Sequence, residues 1–154
     1  MKSRHAFQRI LFVMVVLLPF LSCKKKISQA EADDRIIKKY ISDNKLDATA
    51  TGSGLYYVIS TQGTGVNPNI NSTVLVKYKG ALTNGTVFDQ NLNSGVSLLL
   101  SNTIKGWQEG LPYFKKGGKG VLLIPSALGY GDQATGKIPA ASVLIFDIDL
   151  VDVK

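Results

Sequence analysis

Histidine and cysteine are nearly missing from this chain of 154 residues, which holds one of each, His5 and Cys23. Both lie in the first 23 positions. The remaining chain therefore cannot assemble a Ser-His or Cys-His catalytic pair, a Cys/His zinc site or an intramolecular disulfide. We expect no metal and no cofactor. Charged residues are also sparse at 19%, against 45% hydrophobic, which is too apolar for disorder and enough for one buried core. The net charge of +7 is a local effect. Six of the 18 basic residues stand at positions 2, 4, 9, 24, 25 and 26, leaving 12 against 11 acidic residues from Ile27 onward. A nearly neutral body gives no footprint for nucleic acid.

Residues 1–22 read as an export signal. Lys2, Arg4 and Arg9 precede an apolar run from Ile10 to Leu21, 12 residues long. A spanning helix needs about 20. A conventional cleavage site asks for small residues at −3 and −1, and Phe20 does not suit −3. The stretch Phe20-Leu21-Ser22-Cys23 instead resembles a bacterial lipobox, with Leu replaced by Phe20. On this reading Cys23 is lipidated and becomes the first mature residue. Two acyl chains anchor stably where one does not, and Lys24, Lys25 and Lys26 can rest on anionic headgroups. The protein is then expected in a bacterial cell envelope, lipid-anchored and facing the periplasm.

Residues 23–53 read as an anchored stalk with a short helix. Ser28 and Glu31 fit a capping box, and Ile36, Ile37, Tyr40 and Ile41 share one face. The helix ends at Asn44 or just after it, and its stripe is expected to pack on the domain, giving a monomer. Thr49 to Gly54 reads as a small-residue hinge. From Gly54 the pattern turns to short β-branched and aromatic runs: 55–59, 74–78, 96–100, 121–124 and 143–153. Asn84-Gly85 marks a tight turn. Trp107, Leu111 and Phe114 suggest one short helix, closed by Gly117-Gly118. One short helix among several strands, without βαβ rhythm, predicts an α+β domain with an antiparallel sheet over residues 54–154.

Three tempting motifs fail. Gly131 to Lys137 matches the first seven positions of a phosphate loop, but the eighth is Ile138, where magnesium needs Ser or Thr. Gly63 and Gly65 lack a third glycine, because position 68 is Pro. Asp147 and Asp149 alternate on the outward face of a strand, so with Asp152 they read as solvated surface rather than metal ligands.

Five blocks in the second half, in this order, do carry a signal. They are Val76-Lys77-Tyr78-Lys79-Gly80, Gly85-Thr86-Val87-Phe88-Asp89, Ile104 to Leu111, Ile124 to Gly131, and Ile138 to Asp147. Together they resemble the FKBP-type peptidyl-prolyl cis-trans isomerases. That resemblance implies a curved antiparallel sheet wrapped around one short helix. It also implies an aromatic pocket for proline-containing polypeptides, open to the family's macrolide inhibitors. Trp107 matches the floor beneath the proline ring. Tyr78, Phe88 and Phe146 match aromatic walls, and Ile104 a wall residue whose amide binds a carbonyl. Tyr130 matches the tyrosine that donates to the bound amide, Asp89 the carboxylate acting on the twisting carbonyl, and Ile138 an apolar flap residue. Leu98-Leu99-Leu100 stands where many relatives carry an aromatic, so Leu98 makes an aliphatic, wider wall. Ala140 replaces a second proline, and Thr103 a usual valine.

Such a site needs neither histidine nor cysteine. Rotation about X-Pro meets a barrier of about 20 kcal/mol from amide resonance, and no covalent bond breaks. The planar amide is more polar than the twisted one, so an apolar pocket favours the twisted form, and each ~1.4 kcal/mol of such preference is tenfold in rate. The alternative is a non-catalytic module that holds proline-containing segments as an envelope chaperone. A holdase has no evident need of a buried hydroxyl donor and carboxylate, and this favours the enzyme.

Overall fold

The computed structural model describes residues 27–154. The signal and Cys23 lie outside them. Helix α1 (Gln29–Asp43) starts at the expected box: the Glu31 amide donates to Ser28 Oγ at 3.2 Å, and the Ser28 amide to Glu31 Oε2 at 2.9 Å. It stops because Lys45 turns left-handed, with φ of 52°. The amides of Lys45 and Leu46 then reach back to the carbonyls of Ser42 and Ile41, which is a Schellman closure.

Six strands make one antiparallel sheet in the order β1-β2-β5-β6-β3-β4. They are β1 (Thr49–Ala50), β2 (Tyr56–Thr61), β3 (Thr73–Leu82), β4 (Val87–Leu99), β5 (Lys119–Ile124) and β6 (Leu144–Val153). The expected α+β architecture is present. Helix α2 (Lys105–Gly110) runs into a 3-10 turn, Leu111–Tyr113, and lies against β5. Gly106 and Gly110 permit that approach: a Cβ on either would sit 2.5 Å from the Ile124 side chain or 2.6 Å from that of Leu122.

Strand β6 sorts its side chains as its alternation predicts. Leu144, Phe146, Ile148 and Leu150 join the main core with Trp107, Leu111 and Phe114. On the opposite face Ile145 packs with Leu123 and Val143 against Ile37 of α1. Asp147 and Asp149, on that same face, pair with Lys79 at 2.7 Å and Lys119 at 2.8 Å. They are surface ion pairs across neighbouring strands.

Two segments differ from the sequence reading. Thr49 and Ala50 are not a hinge: they pair with Tyr57 and Tyr56. Thr51 and Ser53 hydroxyls both donate to Glu109 Oε1 of α2 at 2.6 Å. The strand expected at 96–100 starts much earlier, at Val87, and takes in Phe88 and Asp89, while Leu100 leaves it for a 3-10 turn. Val76 pairs with Val96 and Tyr78 with Asn91, so residues 92–95 bulge out opposite Lys77. The Asn91 side chain accepts from the Gly95 amide, and Gly95 takes a φ of 75°.

Candidate active site

A cavity of about 220 Å³ opens over the inner face of the sheet, lined by Tyr78, Phe88, Asp89, Leu98, Asn102, Thr103, Ile104, Trp107, Tyr130 and Phe146. Pockets for drug-sized ligands span about 300–1,000 Å³, so this cavity is sized to take one ring or side chain of a larger ligand. Trp107 is the third residue of α2 and buried, Tyr78 comes from β3, Phe88 and Asp89 from β4, and Phe146 from β6.

The aromatic rings hold one another edge to face. Trp107 meets Phe146 at 5.3 Å and Tyr78 at 5.1 Å between centroids, and Phe88 meets Phe146 at 5.5 Å, with interplanar angles of 80–85°. Trp107 and Phe146 are only 3% and 4% exposed. The Trp107 indole N–H has no acceptor among the described residues, so packing alone fixes the ring. Gly80 makes room for this arrangement, since a Cβ there would lie 2.5 Å from the Phe88 ring and 2.8 Å from that of Phe146.

The polar groups sit at the rim. The Tyr78 hydroxyl donates to Asp89 Oδ2 at 2.6 Å. Burial first, then the hydrogen bond and charge of Asp89, push the Tyr78 phenol up to about 12, so it remains a donor throughout the neutral range. Asp89 and Tyr130 were expected to be buried; both are exposed, Tyr130 by 37%. Ile104 precedes α2, its carbonyl taken by the Trp107 and Gln108 amides. Its own N–H meets no backbone acceptor outside regular elements among the described residues.

The structure thus brings together eight of the nine residues expected at the pocket. Ile138 is the exception: it is 5% exposed and belongs to the core cluster instead of the lining. The reason is a two-residue reversal in which Thr135 and Ile138 exchange both backbone hydrogen bonds around Gly136. That same reversal disposes of the phosphate-loop reading. Asn102 lines the cavity and was missed, because a polar residue in a short 3-10 turn carries no pattern.

Comparison with known proteins bears on this geometry. FkpA from Buchnera aphidicola (Schizaphis graminum strain), called an FKBP-type peptidyl-prolyl cis-trans isomerase, is 46% identical over 123 residues, covering 78% of this chain and 48% of that protein. FkpA from Escherichia coli K12 is 40% identical over 119 residues, covering 76% and 43%. This chain therefore spans about half the length of the curated relatives it matches. The crystal structure of E. coli FkpA superposes with a TM-score of 0.73 at 36% identity, over 82% of this chain and 61% of that one. A peptidyl-prolyl cis-trans isomerase from Pseudomonas syringae gives 0.70 at 30% identity, over 84% and 98%. The family profile described as FKBP-type peptidyl-prolyl cis-trans isomerase matches residues 65–151, more than half the chain, taking in β3, β4, β5, most of β6 and every residue that lines the aromatic cavity. A fold, five ordered sequence blocks and that profile agree, and the chain belongs to the FKBP-type peptidyl-prolyl cis-trans isomerase family.

Proposed function

We propose that this protein isomerises X-Pro bonds of exported polypeptides and so assists their folding, acting from a lipid anchor at Cys23 on the periplasmic side of a bacterial envelope. The observation that carries the catalytic part is the ring-lined cavity floored by Trp107, with a hydroxyl and a carboxylate at its mouth.

The proline ring enters between Tyr78, Phe88 and Phe146 and rests on Trp107, with Leu98 as the aliphatic wall. Water leaves, and the planar amide loses more solvation than the twisted one. The Ile104 N–H holds a substrate carbonyl, and the Tyr130 hydroxyl donates to the amide as it turns. The Asp89 carboxylate, itself oriented by Tyr78, acts on the rotating carbonyl through its field. Differential stabilisation of this kind needs no proton transfer. The envelope location is supported by the leader and by the lipobox-like Phe20 to Cys23.

A peptide isomerisation assay or proline-limited refolding of a substrate, with the full chain in mild detergent, tests this. The single Trp107 reports occupancy of the pocket by fluorescence. Acceleration abolished by a macrolide inhibitor of the family is the expected result. A protein that binds such a ligand yet accelerates nothing is a holdase.

A further inference from the structure

Asp33 is 1% exposed and lies on α1, outside the segment matched by the family profile. Its carboxylate forms no ion pair among the described residues. Buried carboxylates are costly without compensating donors, and this one has three. Gln29 Nε2 donates to Oδ1 at 2.7 Å, while Ser126 donates to Oδ2 twice, from its amide at 2.8 Å and its hydroxyl at 2.7 Å. Bonds to an ionised acceptor are the stronger and better directed kind.

Ser126 is itself the anchor of the loop that presents Tyr130. Its carbonyl accepts from the Gly129 amide at 2.9 Å and the Gly131 amide at 2.8 Å, so the residues on both sides of Tyr130 hang on one oxygen. The chain of contacts runs from α1 through Asp33 to Ser126, and from Ser126 to both neighbours of a rim residue of the cavity. Tyr130 is exposed and makes no side-chain hydrogen bond among the described residues, so its placement depends on its backbone.

We propose that Asp33 is a positioning residue for the active site, setting the place of the Tyr130 hydroxyl through Ser126. This inference rests on the isomerase reading given above. It makes α1 a working part of the catalytic domain rather than a stalk. Glu109 offers a contrast, since it also receives the N-terminal segment, through Thr51 and Ser53, but does not touch Ser126.

The test is a double-mutant cycle on the full chain, read as kcat/KM in peptide isomerisation, with thermal unfolding of each variant recorded alongside. Asp33→Ala should cost about three- to tenfold, no more than Tyr130→Phe costs alone, because it acts through that hydroxyl. In the Tyr130→Phe background the same substitution should cost less than about twofold. Should Asp33→Ala fail to fold, Ser126→Ala, which removes the hydroxyl of the two donors that Ser126 offers Asp33, runs the same cycle under the same criteria. Glu109→Gln should cost the same in both backgrounds. Wild-type activity in Asp33→Ala, an undiminished loss in the Tyr130→Phe background, or the same coupling from Glu109→Gln would each overturn the assignment. An inactive wild type would overturn the isomerase reading and this inference with it, whereas additive losses in an active enzyme sink the positioning role alone.

Discussion

Tyr78 of β3 reaches diagonally to Asp89 of β4, two positions along from its register partner Asn91, hydroxyl to carboxylate at 2.6 Å, and the bond ties the charge at the pocket mouth to a ring in its wall. With the Tyr78 phenol raised from 10 to about 12, the folded state binds its proton more tightly than the unfolded chain does. The stabilisation is therefore complete below pH 10 and is lost as the pH climbs towards about 12. Phenolate absorbance should show a late step among the six tyrosines. In Asp89→Asn that step should move down yet stay above 10, because burial is the larger cause. A single uniform transition near 10 would contradict this.

Tyr130→Phe removes one donor and keeps the ring. A neutral hydrogen bond is worth about 0.5–1.5 kcal/mol net, so kcat/KM should fall about three- to tenfold, with the unfolding midpoint unchanged because Tyr130 is an exposed residue whose hydroxyl bonds no described side chain or backbone group. Phe88→Ala opens a wall and removes an edge-to-face partner of Phe146. It should cost more activity than Tyr130→Phe, and some stability as well. Steady-state peptide isomerisation ranks the two; the reverse order would mean that the hydroxyl, not the apolar enclosure, dominates.

Gly80→Ala should damage the pocket from outside its lining. The added methyl meets the rings of Phe88 and Phe146 at less than 3.0 Å. Overpacking of this kind costs about 1–3 kcal/mol, which calorimetry will read as a lowered midpoint. Adding Phe88→Leu should recover part of the stability without recovering activity. A Gly80→Ala protein as stable and active as wild type would show that the rings can yield.

Cys23→Ser tests the anchor. Expressed in a bacterium, the variant should carry no lipid and should leave the membrane fraction, while its isomerase activity in solution stays intact. Unchanged partitioning, with no acyl mass on the wild-type N-terminus, would remove the anchor from the proposal.

The elements that sequence made legible are those whose cause is local. The capping box of Ser28 and Glu31, the Asn84-Gly85 turn and the alternation of Leu144 to Leu150 depend on residues within a few positions of one another. The pocket aromatics were legible through ordered blocks resembling a family. What escaped depends on distant partners. Asp33 reads as a polar helix position until Ser126, 93 residues away, is beside it. Thr49 and Ala50 become a strand only because β2 offers an edge. The bulge at 92–95 hid how far β4 reaches back from Val96 to Val87, and the Thr135–Ile138 reversal drew Ile138 into the core.

The place of β6 has a consequence for timing. It is the latest of the six strands in chain order, yet it lies between β5 and β3 and joins the two halves of the sheet. Val74 must wait for Val153, and the cavity wall for Phe146. Before β6 emerges the sheet cannot be joined, because its keystone is synthesised after everything it holds. Pairings this far apart in sequence form slowly and late. Until β6 is in place, a nascent chain therefore holds two unjoined pieces of sheet and lacks the Phe146 wall of the aromatic cavity.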